Sequence, residues 1–156
     1  MKSILFLSIL VLFSCQRHST IFLVRHAEKV DDSRDPDLSE AGKQRAAILA
    51  DLLKNENIKE IYTTSYKRTI QTGTPLATIN DIKLKSYKAD SLRAFADQLL
   101  NTRKNILVVG HSNSTISLLD ALGTEHHIKK IEDSDYSNLF KLVLIGKKKT
   151  LEELRY

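Results

Sequence analysis

The sequence predicts an α/β domain in which a largely parallel sheet lies between two layers of helices. From residue 20 onward, short apolar runs alternate with segments whose apolar residues recur at helical spacing. Two of these runs, 21–24 and 106–109, are apolar at every position, as expected for strands that are covered on both faces. Alternating elements of this kind form three-layer α/β/α folds, and 156 residues are enough for one such domain.

The elements can be predicted in order along the chain. A loop follows the first strand, and Ser39 is a candidate N-cap for a helix to about residue 55 with one apolar face. Gly42 lies inside this helix, where it costs about 1 kcal/mol relative to Ala, which indicates a close packing contact. The remaining predicted elements are a strand over 58–63, a helix over 66–79, an edge strand over 82–87, a helix over 92–100, a strand over 106–109, a helix to 122 closed by Gly123, a polar loop over 124–137, and a hairpin over 139–145 and 151–154 whose turn holds Lys147, Lys148 and Lys149.

The composition excludes several classes of protein. Hydrophobic residues make up 42% of the chain and the formal net charge is only +5, so the chain is not predicted to be disordered. A single Cys cannot form a disulfide within the chain. The sequence contains no basic helix with interleaved aromatic residues, and we therefore expect no nucleic-acid partner.

The first residues are predicted to be a targeting signal rather than part of the domain. Lys2 precedes an apolar run over 4–13, which is shorter than the roughly 20 residues of a membrane-spanning helix. Residues 12–15 (LFSC) resemble a bacterial lipobox. We therefore expect residues 1–14 to be a signal peptide, Cys15 to be lipidated, and the domain over 20–156 to be tethered to a membrane outside the cytoplasm, on the periplasmic side or at the outer membrane. The alternative is an unprocessed cytoplasmic protein.

Polar residues accumulate where three predicted strands end. Arg25 and His26 follow the first strand, Arg68 follows the second, and His111 follows the strand over 106–109. Ligands of parallel α/β sheets bind beyond the carboxyl ends of the strands, so these side chains should converge. Arg offers a planar set of donors that matches phosphate, and His can act as a covalent nucleophile. One such residue alone is more often structural, but four together predict a phosphoryl-binding site. The helix that begins near Asn113 should add backbone N–H donors to it.

Four short motifs that include these residues resemble those of one known family. Residues 25–27 (RHA) resemble an Arg-His-Gly motif, and residues 38–46 (LSEAGKQRA) resemble Leu-Ser/Thr-x-x-Gly-x-x-Gln-Ala with Gln44 one position early. Residues 65–72 (SYKRTIQT) are a shortened form of Ser-x-x-x-Arg-x-x-Gln-Thr, and residues 110–113 (GHSN) match Gly-His-Ser/Gly-Asn. In order and spacing, these motifs resemble the histidine phosphatase superfamily, also called the phosphoglycerate mutase-like family.

The resemblance implies a fold and a set of roles. The fold would be phosphoglycerate mutase-like, and His26 would be the nucleophile that forms a phosphohistidine. Arg25, Arg68 and His111 would hold the phosphoryl group, with Asn113 as a further binding residue, and neither a cofactor nor a metal would be needed. Ala27 stands where the family often has Gly, and we expect its methyl group to be tolerated.

The general acid is the least defined of these roles. Glu28 matches an acid found in short members of the family, and we favour it slightly, although an ion pair with Lys29 would also explain it. Asp90 lies after the third predicted strand, where other members carry the acid, but it could equally be the N-cap of the next helix. His126 and His127 are expected to be exposed in a polar loop.

The preferred functional hypothesis is a cofactor-independent phosphatase that acts on small phosphomonoesters. One alternative is a lipoprotein that binds phosphate or another anionic ligand without turnover. Another is a phosphohistidine-protein phosphatase, which the short chain favours and a lipid anchor disfavours. Mutase activity is disfavoured because mutases carry longer insertions around an enclosed pocket.

Overall fold

The computed structural model describes residues 18–156, and its central feature is one six-stranded sheet. Along the chain the elements are β1 (His18–Arg25), α1 (Glu40–Leu53), β2 (Ile58–Thr63), α2 (Lys67–Ile79), β3 (Leu84–Ser86), α3 (Leu92–Leu100), β4 (Asn105–Gly110), α4 (Ser112–Ala121), β5 (Asn138–Ile145) and β6 (Lys148–Arg155). The strand order is β3-β2-β4-β1-β5-β6. The first four strands in this order are parallel, and β5 and β6 add an antiparallel hairpin beside β1. The largely parallel sheet predicted from the sequence is therefore confirmed.

Both faces of the sheet are covered because successive strand residues point to opposite sides. In β1, Ile21 and Leu23 pack into a core formed with α3 and α4. Phe22 and Val24 pack into a second core formed with α1 and α2. All four side chains are almost fully buried, so the continuous apolar run reflects two cores rather than one, and the three-layer architecture is confirmed.

Helix α1 begins as the sequence predicts. The Ser39 hydroxyl accepts a hydrogen bond from the Gly42 N–H at 3.1 Å and caps the helix. A Cβ atom at Gly42 would lie 2.1 Å from the Glu28 carbonyl oxygen. The predicted close contact at Gly42 is thus a contact with the backbone that follows β1.

Several boundaries differ from those predicted. Strand β3 contains three residues instead of six, and Lys148 and Lys149 belong to β6 instead of the turn. The turn needs only Gly146 and Lys147, because Gly146 adopts a positive φ of 60° that permits a two-residue hairpin connection. The Lys149 ammonium group then donates a hydrogen bond to the Leu122 carbonyl at the end of α4.

The loop over 124–137 is less exposed than predicted. His126 is 7% exposed, and its two ring nitrogens contact the Ile128 carbonyl at 2.7 Å and the Asp120 carboxylate at 3.0 Å. The prediction of an exposed His126 is therefore wrong, whereas His127 is fully exposed. Two polar partners reached from neighbouring segments explain why this His enters the interior.

The predicted signal peptide (1–14) and lipidated Cys15 lie outside the described residues. Within residues 18–156, no helix has both the length and the apolar character needed to cross a membrane.

Candidate active site

A cavity of about 820 Å³ opens at the carboxyl ends of β1, β2 and β4. The structure brings six of the residues singled out from the sequence into its lining: Arg25, His26, Arg68, Asp90, His111 and Asn113. Parallel register explains the convergence, because Arg25, the last residue of β1, pairs with Gly110, which directly precedes His111. The two imidazole rings lie 5.5 Å apart between centroids. The strand-end rule therefore located this cavity correctly.

His26 is buried in a state suited to nucleophilic attack. Its Nδ1 lies 2.8 Å from the Ala27 carbonyl oxygen, and because a carbonyl can only accept, Nδ1 carries the proton. Nε2 is then the nitrogen with a free electron pair. Burial, together with the positive charge of Arg25 and Arg68, lowers the pKa of His26 to about 3 despite the hydrogen bond to Ala27. His26 is accordingly neutral at physiological pH.

The residue after His26 ties this strand end to α2. Ala27 is fully buried, and its methyl group packs with Leu38 and Ala46 instead of lining the cavity. The Ala27 N–H donates to the Thr72 hydroxyl, which donates to the Arg68 carbonyl at 2.7 Å. Ala in place of Gly is thus accommodated on the side facing α1, and Thr72 links the two predicted phosphate-binding segments.

Arg25 is held by the loop that precedes β5. Its Nη1 donates to the carbonyl oxygens of Glu132 at 2.7 Å and Asp133 at 3.1 Å, and its guanidinium lies 4.3 Å from the centre of the Tyr136 ring. Arg25 Nε is buried and has no hydrogen-bond acceptor among residues 18–156. A buried donor of this kind at the edge of the cavity is suited to a phosphoryl oxygen.

Arg68 and His111 lie next to each other in the lining of the cavity. Arg68 Nη2 lies 3.4 Å from His111 Nδ1, and Tyr66 packs against both, with its ring 4.4 Å from the guanidinium carbon and 5.2 Å from the imidazole centroid. Burial and the charges of Arg68 and Arg25 lower the pKa of His111 to about 4. Tyr66 was not predicted as a site residue, because no local signal in the sequence sets it apart from its neighbours.

Glu28 is not brought to the cavity. Arg45 Nε donates to both carboxylate oxygens of Glu28, at 2.8 and 2.9 Å, and Arg45 Nη1 donates to the Tyr156 carbonyl. Glu28 is absent from the residues that line the cavity. The prediction of Glu28 as the general acid is contradicted by this geometry, because the carboxylate is held against α1 and the end of β6.

Asp90 is the only acidic residue in the lining of the cavity as described. It precedes α3, but the N-cap position belongs to Ser91, whose hydroxyl donates to the Asp90 carboxylate at 3.1 Å. The alternative interpretation of Asp90 as the N-cap is therefore wrong, and its carboxylate is available at the cavity.

Two lysines, Lys29 and Lys88, also line the cavity. Lys29 follows β1 and pairs with Asp32, and Lys88 follows β3. Together with the two arginines they give four permanent positive charges against the one carboxylate of Asp90. The cavity is strongly cationic and suited to an anionic ligand. In the part of the chain described, no three His, Cys, Asp or Glu side chains are grouped so that they could hold a metal ion.

Comparison with known proteins gives a family match over part of the chain. The model of the histidine phosphatase superfamily (branch 1) matches residues 21–93, a segment that contains Arg25, His26, Arg68 and Asp90. The match covers just under half of the chain, so the similarity to the histidine phosphatase superfamily applies to this segment. His111 lies beyond the matched segment, and β4 carries it to the same cavity.

Proteins similar to this chain include enzymes with different names. Phosphoserine phosphatase 1 of Hydrogenobacter thermophilus is 37% identical over an alignment that covers 41% of this chain and 34% of the relative, about a third of that protein's length. The phosphoserine phosphatase of Entamoeba histolytica, solved with 3-phosphoglyceric acid, is 16% identical with a TM-score of 0.65, covering 88% of this chain and 97% of that one. The protein histidine phosphatase SixA, solved with tungstate, is 16% identical with a TM-score of 0.69, covering 87% and 96%. At such identities the two structures establish the shared phosphoglycerate mutase-like fold.

Proposed function

We propose that the protein is a cofactor-independent phosphatase that hydrolyses small phosphomonoesters through a phosphohistidine on His26. One observation carries the proposal: a buried, neutral His26 with its Nε2 electron pair free shares one cavity with Arg25, Arg68 and His111. Two arginines roughly neutralise a phosphoryl group, which carries about −1.5 to −2 charges near pH 7. Phosphoryl transfer needs mainly positioning and charge stabilisation, and this set of residues supplies both.

In the first step, His26 Nε2 attacks phosphorus. A P–N bond forms while the P–O bond to the leaving group breaks. Arg25 and Arg68 stabilise the charge on the phosphoryl oxygens, and the positive end of the α4 dipole, which begins at Ser112, faces the same region. Asp90, as its acid form, donates a proton to the departing oxygen and becomes a carboxylate.

In the second step, water attacks the phosphohistidine from the position that the leaving group vacated. The Asp90 carboxylate accepts a proton from this water, a P–O bond forms, and the P–N bond breaks. The electron pair returns to His26 Nε2, and inorganic phosphate leaves. The same carboxyl group thus acts first as acid and then as base, which restores the starting state.

The charge of the cavity supports a substrate that carries more than one anionic group. After Arg25 and Arg68 are matched to the phosphoryl group, Lys88 remains without an acidic partner within 4.0 Å in residues 18–156, while Lys29 is paired with Asp32. A carboxylate or second phosphate on the leaving group would complement it. The names of two relatives, phosphoserine phosphatases, agree with such a substrate.

The decisive experiment combines hydrolysis with trapping of the intermediate. The protein should release p-nitrophenol from p-nitrophenyl phosphate in the presence of EDTA, and a ³²P-labelled substrate should leave an acid-labile, base-stable label on the protein. His26→Ala should abolish both signals, whereas His127→Ala, at a fully exposed histidine, should change neither. Active wild-type protein without the label would remove His26 from the nucleophile role. Tight phosphate binding without release would favour the non-catalytic binding protein.

The acid role of Asp90 has a test of its own. Asp90→Asn should lower kcat about 100- to 10,000-fold for alkyl phosphates, whose alkoxides need a proton, and much less for p-nitrophenyl phosphate. Asp97→Asn on the exposed side of α3 serves as the control. Equal losses on both substrates would contradict the role. Preferential hydrolysis of phosphohistidine, independent of Asp90, would instead favour the phosphohistidine-protein phosphatase.

We infer that Cys15 anchors the domain to a membrane outside the cytoplasm, since residues 12–15 resemble a lipobox. Two acyl chains provide stable anchoring, with each buried methylene contributing about 0.8 kcal/mol. A fatty-acid probe should label the wild-type protein in its bacterial host but not Cys15→Ser. Soluble, unlabelled wild-type protein would contradict the anchor.

A further inference from the structure

A short series of hydrogen-bonded hydroxyl groups, those of Thr64 and Thr69, begins at His111. His111 Nε2 lies 3.0 Å from the Thr64 hydroxyl, and this hydroxyl lies 2.9 Å from that of Thr69. Thr69 in turn lies 2.8 Å from the Tyr66 carbonyl and 3.1 Å from the Thr64 carbonyl. Thr64 is 5% exposed and Thr69 is fully buried, so solvent does not compete for these bonds.

The carbonyl groups at the end of this series of hydroxyls determine which group donates and which accepts in each hydrogen bond. Carbonyl oxygens can only accept, so the single hydroxyl proton of Thr69 is committed to the Tyr66 or Thr64 carbonyl. The Thr69 oxygen must then accept the proton of the Thr64 hydroxyl. The Thr64 oxygen is left as an acceptor, and His111 Nε2 must carry a proton to meet it. The opposite direction would bring the Thr69 oxygen against the Tyr66 carbonyl at 2.8 Å with no proton between them.

The other nitrogen of His111 leads independently to the same tautomer. Arg68 Nη2 approaches Nδ1 to 3.4 Å, and a guanidinium is a donor only. Nδ1 therefore presents an electron pair toward Arg68. Two contacts from different elements, one at the end of β2 and one on α2, thus agree that neutral His111 is protonated at Nε2.

This tautomer has a consequence for ligand binding. A phosphoryl oxygen is an acceptor, and Nδ1 in this state is an acceptor as well. The two can form a hydrogen bond only after Nδ1 gains a proton, and His111 then becomes an imidazolium with both N–H groups bonded. The proton comes from solution when the ligand is a dianion.

We propose that Thr64 is a positioning residue that holds His111 as the Nε2-protonated tautomer, so that binding of a phosphoryl dianion is coupled to uptake of one proton at Nδ1. The inference rests on the proposed function for the class of ligand and adds a residue and a proton that the reaction scheme above does not contain. Thr64 acts through His111 and has no role as acid, base or nucleophile.

The charged surroundings of His111 favour this coupling. In the free protein, burial and the neighbouring positive charges keep the ring neutral, and a bound dianion offsets those charges and can accept a hydrogen bond from a protonated Nδ1. The charged and titratable groups around His111 are Arg25 at the end of β1, His26 directly after it, Tyr66 and Arg68 at the start of α2, and Lys29, Lys88 and Asp90 elsewhere in the lining of the cavity. The lowered pKa of free His111 is consistent with a neutral ring before the anion binds.

The tautomer can be read without any ligand. In ¹⁵N-labelled protein at pH 7.5, long-range ¹H–¹⁵N spectra should show His111 with a protonated Nε2 and an unprotonated Nδ1. Sulfate is a suitable probe of the anion site because it stays a dianion and takes up no proton itself. On sulfate binding, calorimetry in two buffers of different ionisation enthalpy should show uptake of about one proton, and log Kd should rise with pH at a slope of about one.

Three variants separate positioning from general structure. Thr64→Val removes the hydroxyl and keeps the shape of the side chain, so the Nε2–H of His111 loses its acceptor. We expect a mixture of His111 tautomers and uptake of less than about half a proton per bound sulfate. Sulfate binding should be about 5- to 100-fold weaker. Thr64→Ser should restore wild-type values. Thr63→Val, at the adjacent buried residue that ends β2, is the control and should leave tautomer and uptake unchanged.

Two results would overturn the proposal. One is a free wild-type protein in which His111 is protonated at Nδ1. The other is a Thr64→Val variant that keeps the wild-type tautomer and proton uptake. If the protein neither bound sulfate nor hydrolysed phosphomonoesters, the proposed function would fail, while the tautomer of the free wild-type protein would still decide whether Thr64 has the assigned role.

Discussion

Replacing Gly42 by Ala should destabilise the protein and impair its site, although Ala is the better helix former. Gly42 lies in the first turn of α1, and an added Cβ would sit 2.1 Å from the Glu28 carbonyl oxygen and 3.0 Å from the Glu28 carbonyl carbon and nitrogen. Ordinary contacts begin near 3.4 Å, so the two backbones must separate by about 1.3 Å. These are backbone atoms, and no side-chain rotation can relieve the contact.

The magnitude follows from three contributions. Overpacking of a rigid site costs about 1–3 kcal/mol. Separation also weakens the hydrogen bond from the Ser39 N–H to the Glu28 carbonyl, 2.9 Å long, at about 1 kcal/mol. The higher helix propensity of Ala offsets about 1 kcal/mol of this destabilisation. We expect a net loss of about 1–3 kcal/mol in the free energy of unfolding.

The site should respond as well, because Glu28 is only two residues after His26. A displacement of about 1 Å at a catalytic group can lower kcat/KM by about 100-fold. Denaturant unfolding followed by circular dichroism, together with p-nitrophenyl phosphate hydrolysis, measures both effects.

Gly73→Ala on α2 provides the matched control. There, the three atoms nearest to an added Cβ would be side-chain methyl groups of Ile61, Leu84 and Thr63, at 3.3–3.4 Å. We expect its stability to be unchanged or to rise by up to about 1 kcal/mol through helix propensity. A Gly42→Ala protein as stable and active as the Gly73→Ala protein would refute the close contact between α1 and the backbone after β1.

Three further predictions concern charged residues. Glu28→Gln should lower the free energy of unfolding by about 1 kcal/mol, because the pair with Arg45 is weakened, and should reduce kcat by less than about tenfold. A loss of kcat above about 100-fold would instead support Glu28 as the general acid. Lys88→Met should lower kcat/KM by about 3- to 10-fold for phosphomonoesters with a second anionic group and leave kcat/KM unchanged for substrates with a neutral leaving group. Lys83→Met is the control. Equal effects of Lys88→Met on the two classes of substrate would contradict a charge contact. Burial alone would raise the pKa of Glu60, but hydrogen bonds from Lys and Tyr side chains lower it to about 2, so this carboxylate stabilises the fold above pH 4.5 and the contribution is lost as the pH falls toward 2. Glu60→Gln should therefore flatten the decline of unfolding free energy over that range, as measured by denaturation at each pH.

Local sequence pattern was sufficient for most of the fold. The apolar strands and helix faces have fixed periods, and the Ser39 cap and Gly123 termination are set by neighbouring residues. The convergence of Arg25, His26 and His111 was also predictable, since parallel strands that run side by side end at one edge of the sheet.

The remainder depended on contacts between distant segments. The direction of the Glu28 side chain is set by Arg45, and Arg45 is oriented by Tyr156, 111 residues further along the chain. The anchoring of Arg25 comes from carbonyl groups in a loop without periodicity, and no local signal predicts it. The hydroxyl of Thr64 had one visible signal, its position directly after a strand that ends at the site, but its partner Thr69 is reached only once α2 has folded back.

The anchoring of Arg25 affects how tightly a phosphate can bind. An arginine that must be ordered on binding gives up side-chain entropy of about 1.5–2 kcal/mol. Here, backbone carbonyls and the Tyr136 ring have already immobilised the guanidinium during folding. The ligand therefore meets a preorganised donor, and any substitution that loosens residues 132–136 should weaken anion affinity even though none of the charges in the cavity has changed.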